Sequence, residues 1–95
     1  MSLFTVAHFH CLPGRGAEVE AHLAPLVEPT ASEDGYVFYR YFRDSADDDH
    51  FVFWEEWRDD ASLDIHIAGP GVQSMLEAVL PLLAEPIAAY RLSMR

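Results

Sequence analysis

The chain has 95 residues, which is the size of one domain, and 51% of them are hydrophobic, which is enough to build a core. Its formal net charge is −10 with no Lys, so binding to nucleic acid or to an anionic membrane surface, both of which need clustered basic side chains, is not expected. A single cysteine, Cys11, excludes an internal disulfide, and no apolar run suggests a signal peptide or a membrane span, so a cytoplasmic protein is expected.

The first part of the chain predicts a strand followed by a helix. Residues 3–11 are rich in β-branched and aromatic side chains, which favours a strand, and a Pro-Gly pair then ends it. Apolar residues at helical spacing predict a helix over 17–33. Because an interior proline costs a helix about 3 kcal/mol, we expect a kink near Pro25 and a frayed end after Pro29.

The middle of the chain predicts a hairpin. Residues 36–43 and 50–57 are aromatic segments, and the polar loop 44–49 joins them, which is typical of two antiparallel strands. Asp59 or Asp60 is a suitable N-cap for a short helix that follows.

The last part of the chain predicts a second helix and a final strand. Gly69-Pro70-Gly71 is expected to end the short helix, an apolar stripe over 72–84 predicts the next helix, and residues 87–94 predict a strand. The order β-α-β-β-α-α-β predicts an α+β fold on the ferredoxin-like split βαβ plan, with a four-stranded antiparallel sheet and helices on one face. We expect residues 1–95 to form a single domain of this kind.

The predicted sheet is apolar on both faces. Alternation along the first and third strands places on one face Thr5, Ala7, Phe9, Cys11, Phe51, Phe53, Glu55 and Trp57, and on the other Phe4, Val6, His8, His10, Val52, Trp54 and Glu56. In the second strand it opposes Val37, Tyr39 and Tyr41 to Tyr36, Phe38, Arg40 and Phe42. The helices can cover only one face, and the other is too apolar for a monomer, so we expect a homodimer packed sheet to sheet about a two-fold axis.

Glu55 and His66 are the first candidates for chemistry. If Phe53, Glu55 and Trp57 face the helices, Glu55 is a carboxylate in an aromatic pocket, and His66 on the apolar face of the short helix also points inward. An isolated buried charge is costly, so His66 is the expected partner of Glu55. The spacing fits two roles for such a pair, proton exchange with a ligand or a structural link between helix and sheet.

Other candidate motifs are better explained by structure than by chemistry. His8 and His10 lie on one strand face at a spacing that metals use, but no third ligand is evident, so we expect hydrogen-bonded interface histidines and no metal. The acidic loop 44–49 lacks the ligand order and glycine of an EF-hand and is expected to be a solvated turn. Cys11 has no His beside it on the same strand face and is expected to be a core residue.

One run of residues carries a family resemblance. Phe51-Val-Phe-Trp-Glu55-Glu-Trp57, followed by Ala61-x-Leu63-x-x-His66, resembles the antibiotic biosynthesis monooxygenase superfamily of dimeric α/β-barrel proteins. The resemblance extends over essentially the whole chain through Pro13-Gly14, Glu33-Asp-Gly35-Tyr-x-x-Tyr39 and Glu85-Pro86.

This resemblance implies a pocket between sheet and helices in which a small aromatic quinol or polyphenol is oxidised by molecular oxygen without flavin, haem or metal. It implies His66 as the proton acceptor, Glu55 as the group that orients it and balances its charge, and Tyr39 as a hydrogen-bonding group. It also implies an aromatic wall of Trp57, Phe53 and Phe9, with Leu63 completing the substrate pocket.

Departures from two branches of the family narrow the activity. Phe9 and Leu76 match the positions of an Asn and a haem-ligating His in the haem-degrading branch, so haem degradation is not expected. The polyketide-quinone-forming branch uses an Asn, a Tyr and a Trp. Phe53 and Leu63 match the positions of the Asn and the Tyr, so Trp57 is what this chain retains of the set. The leading hypothesis is a cofactor-independent monooxygenase. Two alternatives stay open: a proton-transfer isomerase of a small hydroxy-ketone, and a non-catalytic dimeric binding or stress-response module.

Overall fold

A computed structural model of the chain describes residues 2–95 and shows an antiparallel sheet with helices packed on one face. The elements in chain order are β1 (Leu3–His10), α1 (Gly16–Leu23), α2 (Val27–Thr30), β2 (Tyr36–Arg43), β3 (His50–Trp57), α3 (Asp60–Ala68), α4 (Pro70–Val79) and β4 (Ala88–Leu92). The strands lie in the order β2-β3-β1-β4. The predicted α+β, ferredoxin-like fold is therefore confirmed.

Strand alternation sorts the side chains as expected in β1 and β3. Every second residue from Thr5 to Phe9 and from Phe51 to Trp57 is buried, and the residues between them are partly or largely exposed. The buried set joins side chains of the helices, such as Leu63 of α3, in one core. We call this face of the sheet the helix face, and the opposite one the outer face.

A register shift in β2 corrects the predicted alternation of that strand. Tyr36 pairs with Trp57 and Phe38 with Glu56, so one extra residue, Val37, lies between two consecutive pairs. Val37 was expected beside Tyr39, but it is 48% exposed and lies with Phe38 on the outer face. The shift turns Tyr36 toward the helix face, where its ring meets the edge of Trp57 with centroids 6.4 Å apart.

The prolines of the first helical region act close to the predicted positions. The helix predicted over 17–33 is helical from Gly16 to Thr30, and a 3₁₀ turn at Ala24–Leu26, which contains Pro25, divides α1 from α2. The tighter turn accommodates a residue that has no backbone N–H to donate. Pro29 lies in the last turn, which ends at Thr30.

The junction between α3 and α4 differs from the prediction. Asp59 is the N-cap of α3, since its carboxylate accepts a hydrogen bond from the Ser62 N–H at 2.8 Å. Gly69 ends α3 as expected, but α4 begins at Pro70 instead of residue 72. Proline is well suited to the first helical position because its missing N–H would have no partner there.

The outer face is left uncovered by the helices. Its exposed apolar side chains include Val37, Phe38, Phe42 and Trp54, and the Phe4 ring lies 6.5 Å from that of Trp54. A shallow depression runs between them along β2 and β3. The predicted two-sided apolar sheet is thus present in the chain. Within residues 2–95, no helix has the length and apolarity needed to cross a membrane.

Candidate functional site

A cavity of about 270 Å³ lies between the helix face of the sheet and helices α3 and α4. Most of its lining is apolar and includes Phe9, Phe53 and Leu63, the three residues expected to form the substrate pocket. Four polar side chains also line it: Thr5, Tyr39, Glu55 and His66. A largely apolar cavity with a few polar groups is the usual form of a small-molecule site.

Glu55 is a buried carboxyl group at the wall of this cavity. Its side chain is on the helix face of β3, the residue is 7% exposed, and its Oε1 accepts a hydrogen bond from the indole N–H of Trp57 at 2.8 Å. Burial raises the pKa of Glu55 to about 7, and the Trp57 hydrogen bond opposes part of this rise. A carboxyl group with this pKa can both release and accept a proton near neutral pH.

His66 is the second titratable group of the cavity and projects from α3. Its Nδ1 lies 2.9 Å from Oε1 of Glu33, in the turn before β2. Because an ionised carboxylate only accepts hydrogen bonds, Nδ1 carries the hydrogen and Nε2 is the basic nitrogen of the neutral ring. The imidazole packs against Trp57, with ring centroids 4.6 Å apart, and against the edge of Tyr39 at 5.0 Å.

The expected pair of Glu55 and His66 is therefore corrected by the structure. Both side chains line the cavity, but Glu55 bonds to Trp57 and His66 bonds to Glu33. The first contact follows from strand geometry, because residues two apart on a strand project from the same face. The second joins residues 33 positions apart and depends on how the turn before β2 meets α3, so the spacing of the sequence contains no signal for it.

Tyr39 supplies a neutral phenol to the cavity. It pairs directly with Glu55 across β2 and β3 and is 2% exposed. Burial raises the pKa of Tyr39 far above its usual value, and the nearby Glu55 and Glu33 carboxyls act in the same direction. The phenol therefore keeps its proton at every physiological pH.

Trp57, expected in the aromatic wall, lies behind the polar groups. It is completely buried, its indole N–H holds Glu55, and its ring packs on His66. Trp57 is thus positioned to hold both titratable side chains in place.

Thr5 is a cavity residue that sequence reasoning did not single out. It pairs with Glu55 across β1 and β3 and lines the same cavity. Among residues 2–95, its hydroxyl is the buried side-chain polar atom found without a hydrogen-bond partner. Such groups are rare in folded proteins. The sequence placed Thr5 on the same sheet face as Glu55, but the pairing register that sets its hydroxyl beside this carboxyl group comes from the structure.

We expect Thr5→Val to raise the free energy of unfolding by about 1 kcal/mol, because the methyl group replaces an unsatisfied buried hydroxyl. Thermal unfolding monitored by circular dichroism would show this as a melting temperature higher by about 5 °C. Thr30→Val is the matched control: the buried Thr30 hydroxyl donates to the Leu26 carbonyl at 2.6 Å, so its loss is expected to destabilise the protein. Equal destabilisation by both substitutions would contradict the unpartnered state of Thr5.

Comparison with known structures identifies relatives of the same fold. Rv0793 of Mycobacterium tuberculosis is 25% identical, with a TM-score of 0.92 and coverage of 100% of this chain and 96% of that chain. A crystal structure described as an antibiotic biosynthesis monooxygenase is 29% identical, with a TM-score of 0.92 and coverage of 98% of each chain. SnoaB of Streptomyces nogalater, described as a cofactor-independent oxygenase, is similar in fold, with 22% identity, a TM-score of 0.83 and coverage of 99% of this chain and 93% of that chain.

Sequence comparison gives the family. No curated protein matches the sequence significantly. Residues 2–78, most of the chain, match the profile of the antibiotic biosynthesis monooxygenase family. The chain therefore belongs to the antibiotic biosynthesis monooxygenase family.

Proposed function

We propose that the protein is a cofactor-independent monooxygenase that oxidises a small aromatic quinol or polyphenol with molecular oxygen. The observation that carries the proposal is the apolar cavity in which a carboxyl group with a pKa of about 7 and a carboxylate-bound imidazole lie together. Family membership and the fold shared with SnoaB, a described cofactor-independent oxygenase, support the same chemistry.

The chemistry begins with removal of a phenolic proton. An aryloxide is a much better electron donor than the phenol, and its carbon can react with oxygen without a redox cofactor. In the overall reaction the quinol supplies four electrons to oxygen and becomes a hydroxyquinone, with one oxygen atom entering the ring and the other leaving as water. The protein must accept the proton, exclude bulk water and stabilise the developing oxyanion.

The cavity offers side chains for the proton transfer and for the stabilisation of the oxyanion. Nε2 of His66 accepts the phenolic proton, and Glu33 stabilises the imidazolium that forms, a role that the family resemblance assigned to Glu55. Glu55 serves as a second proton-exchanging group at the cavity wall. Tyr39 and Thr5 are available to donate hydrogen bonds to substrate oxygens, and Trp57 positions Glu55 and His66. A volume of about 270 Å³ suits a substrate of one or two rings.

We expect His66→Ala to lower the rate of quinol-dependent oxygen uptake by about 10²-fold or more, the usual loss when a general base is removed. The measurement is oxygen consumption with a panel of mono- and bicyclic quinols, corrected for the enzyme-free rate. His22→Ala removes an exposed histidine of α1 and is expected to leave the rate unchanged.

Two results would contradict the monooxygenase. One is oxygen uptake no faster than the enzyme-free rate with every quinol. The other is hydrogen exchange into a keto substrate, abolished in His66→Ala, without oxygen uptake with any quinol. That second result would identify the proton-transfer isomerase, which uses the same side chains. Saturable ligand binding without any turnover would instead identify the non-catalytic module.

We further propose that the protein is a homodimer joined through the outer face. Members of the family are typically dimeric. The exposed apolar side chains of β2 and β3 form a continuous surface that the helices of this chain do not cover. Large apolar patches of this kind mark association surfaces, and a two-fold arrangement lets the same patch serve both copies.

A further inference from the structure

Three histidines gather on the outer face at the end of β1 and β3 nearest the hairpin loop. His8, His10 and His50 are each half-buried, and one ring nitrogen from each lies within 4.8 Å of the others. The sequence places His8 and His10 on one face of a strand, but it does not reveal a third ligand. The antiparallel register supplies the third, since His10 pairs directly with His50.

One pair of ring nitrogens in the cluster has a spacing close to that of two ligands around one ion. Nδ1 of His8 lies 3.0 Å from Nε2 of His50. Nitrogen ligands bind zinc at about 2.0–2.1 Å, which places two ligands of a tetrahedral ion about 3.4 Å apart. The rings of His10 and His50 are stacked, with centroids 4.1 Å apart and an angle of 8° between their planes. Lone pairs in nearly parallel rings do not converge on one position. Binding a single ion therefore requires rotation about the Cβ–Cγ bonds, which turns the three lone pairs toward the ion.

Two carboxylates contact histidines of the cluster. Oδ2 of Asp44 lies 2.9 Å from Nδ1 of His50, so it holds the hydrogen on that nitrogen and leaves a lone pair on Nε2. This lone pair accepts a hydrogen bond from Nδ1 of His8, and a bound ion would take the place of that hydrogen. A carboxylate behind a ligating histidine is a recurrent feature of metal sites. Oε1 of Glu85 lies 3.6 Å from Nε2 of His10 and adds negative charge beside the cluster.

We propose that His8, His10 and His50 of one chain bind a divalent transition-metal ion such as Zn²⁺, Co²⁺, Ni²⁺ or Cu²⁺. Three imidazoles suit these ions, whereas Mg²⁺ and Ca²⁺ prefer oxygen ligands. The site is on the face of the sheet opposite the cavity, and it is independent of the proposed oxygenase chemistry.

The test uses the complete chain after treatment with a chelator. Titration with Co²⁺, followed by its visible absorption, and calorimetric titration with Zn²⁺ are expected to show one ion bound per chain. His8→Ala and His50→Ala are each expected to weaken binding at least about 100-fold, and Asp44→Asn, which keeps the three ligands, is expected to weaken it about 10- to 100-fold. His22→Ala is the matched control and is expected to bind as the unaltered protein does.

A thermal measurement separates lost ligands from lost folding. Excess Zn²⁺ is expected to raise the melting temperature of the unaltered protein and of His22→Ala, but not that of folded His50→Ala. The proposal is overturned if the unaltered protein shows no saturable Co²⁺ absorption, if His22→Ala weakens binding as much as His50→Ala, or if half an ion binds per chain.

Discussion

Replacing Trp54 by Asp is expected to dissociate the proposed homodimer into monomers. Trp54 lies on β3 in the middle of the exposed apolar surface, is 42% exposed, and borders Phe4. In the proposed dimer, the substitution would place one unpaired carboxylate from each chain in the interface. Leaving one buried charge without a partner costs about 3–5 kcal/mol, which corresponds to a dissociation constant raised more than about 100-fold. Sedimentation velocity at several protein concentrations measures this change.

Ile65→Asp is the control for this experiment. Ile65 is also a large apolar residue, is 74% exposed, and lies on α3 away from the outer face. The same charge at that position is expected to leave the dimer intact, and so is Trp57→Phe, which alters the helix face. A monomeric unaltered protein, or equal dissociation by Trp54→Asp and Ile65→Asp, would show that the outer face is not the interface.

The strands of the hairpin were predictable to the residue. Asp34-Gly35 precedes the segment 36–43, the acidic loop 44–49 separates it from the segment 50–57, and Asp59-Asp60 follows soon after. The observed β2 and β3 have the limits of these two segments. Alternation in β3 also assigned Trp54 and Trp57 to opposite faces. In a regular strand, knowing which residue faces the helices fixes the face of every other residue. Local patterns thus contain enough information for the elements and for the two faces of the sheet.

The contacts that define the site were only partly predictable. Burial of Glu55 and His66 follows from their positions on apolar faces, and the structure brings both to one cavity. Their partners do not follow from spacing. Glu33 reaches His66 through the turn before β2, and Val37 changes face because β2 contains an extra residue. Both features depend on the register and packing of distant segments, which a single sequence does not display.

The histidine cluster shows the same limit on the other face of the sheet. His8 and His10 are recognisable as a pair from their spacing, but His50 lies far along the chain, on the opposite strand of the pair. Its approach depends on the pairing register of β1 with β3, in which His10 opposes His50. Once the register is known, the third ligand follows without further information.

Glu55→Gln is expected to remove a large part of the pH dependence of stability. The pKa of Glu55 is raised from 4.5 to about 7 by folding, so the folded protein holds this proton more tightly than the unfolded chain. The stabilisation that the folded protein gains by holding this proton is complete below pH 4.5. It is lost as the pH rises through 7, because the buried carboxyl group must then ionise. A tenfold change in proton affinity corresponds to about 1.4 kcal/mol, so the full effect on the free energy of unfolding is about 3 kcal/mol.

Gln keeps an oxygen that can accept the Trp57 hydrogen bond, but it cannot ionise. At about pH 4 the variant and the unaltered protein are therefore expected to differ little in free energy of unfolding, whereas at about pH 8.5 the variant is expected to be more stable by about 3 kcal/mol. Urea unfolding at equal protein concentration and both pH values measures the difference. Glu56→Gln changes the neighbouring outer-face carboxyl and is expected to show no such gain. A difference between Glu55→Gln and the unaltered protein that stays the same at both pH values would mean that Glu55 does not titrate as a buried group.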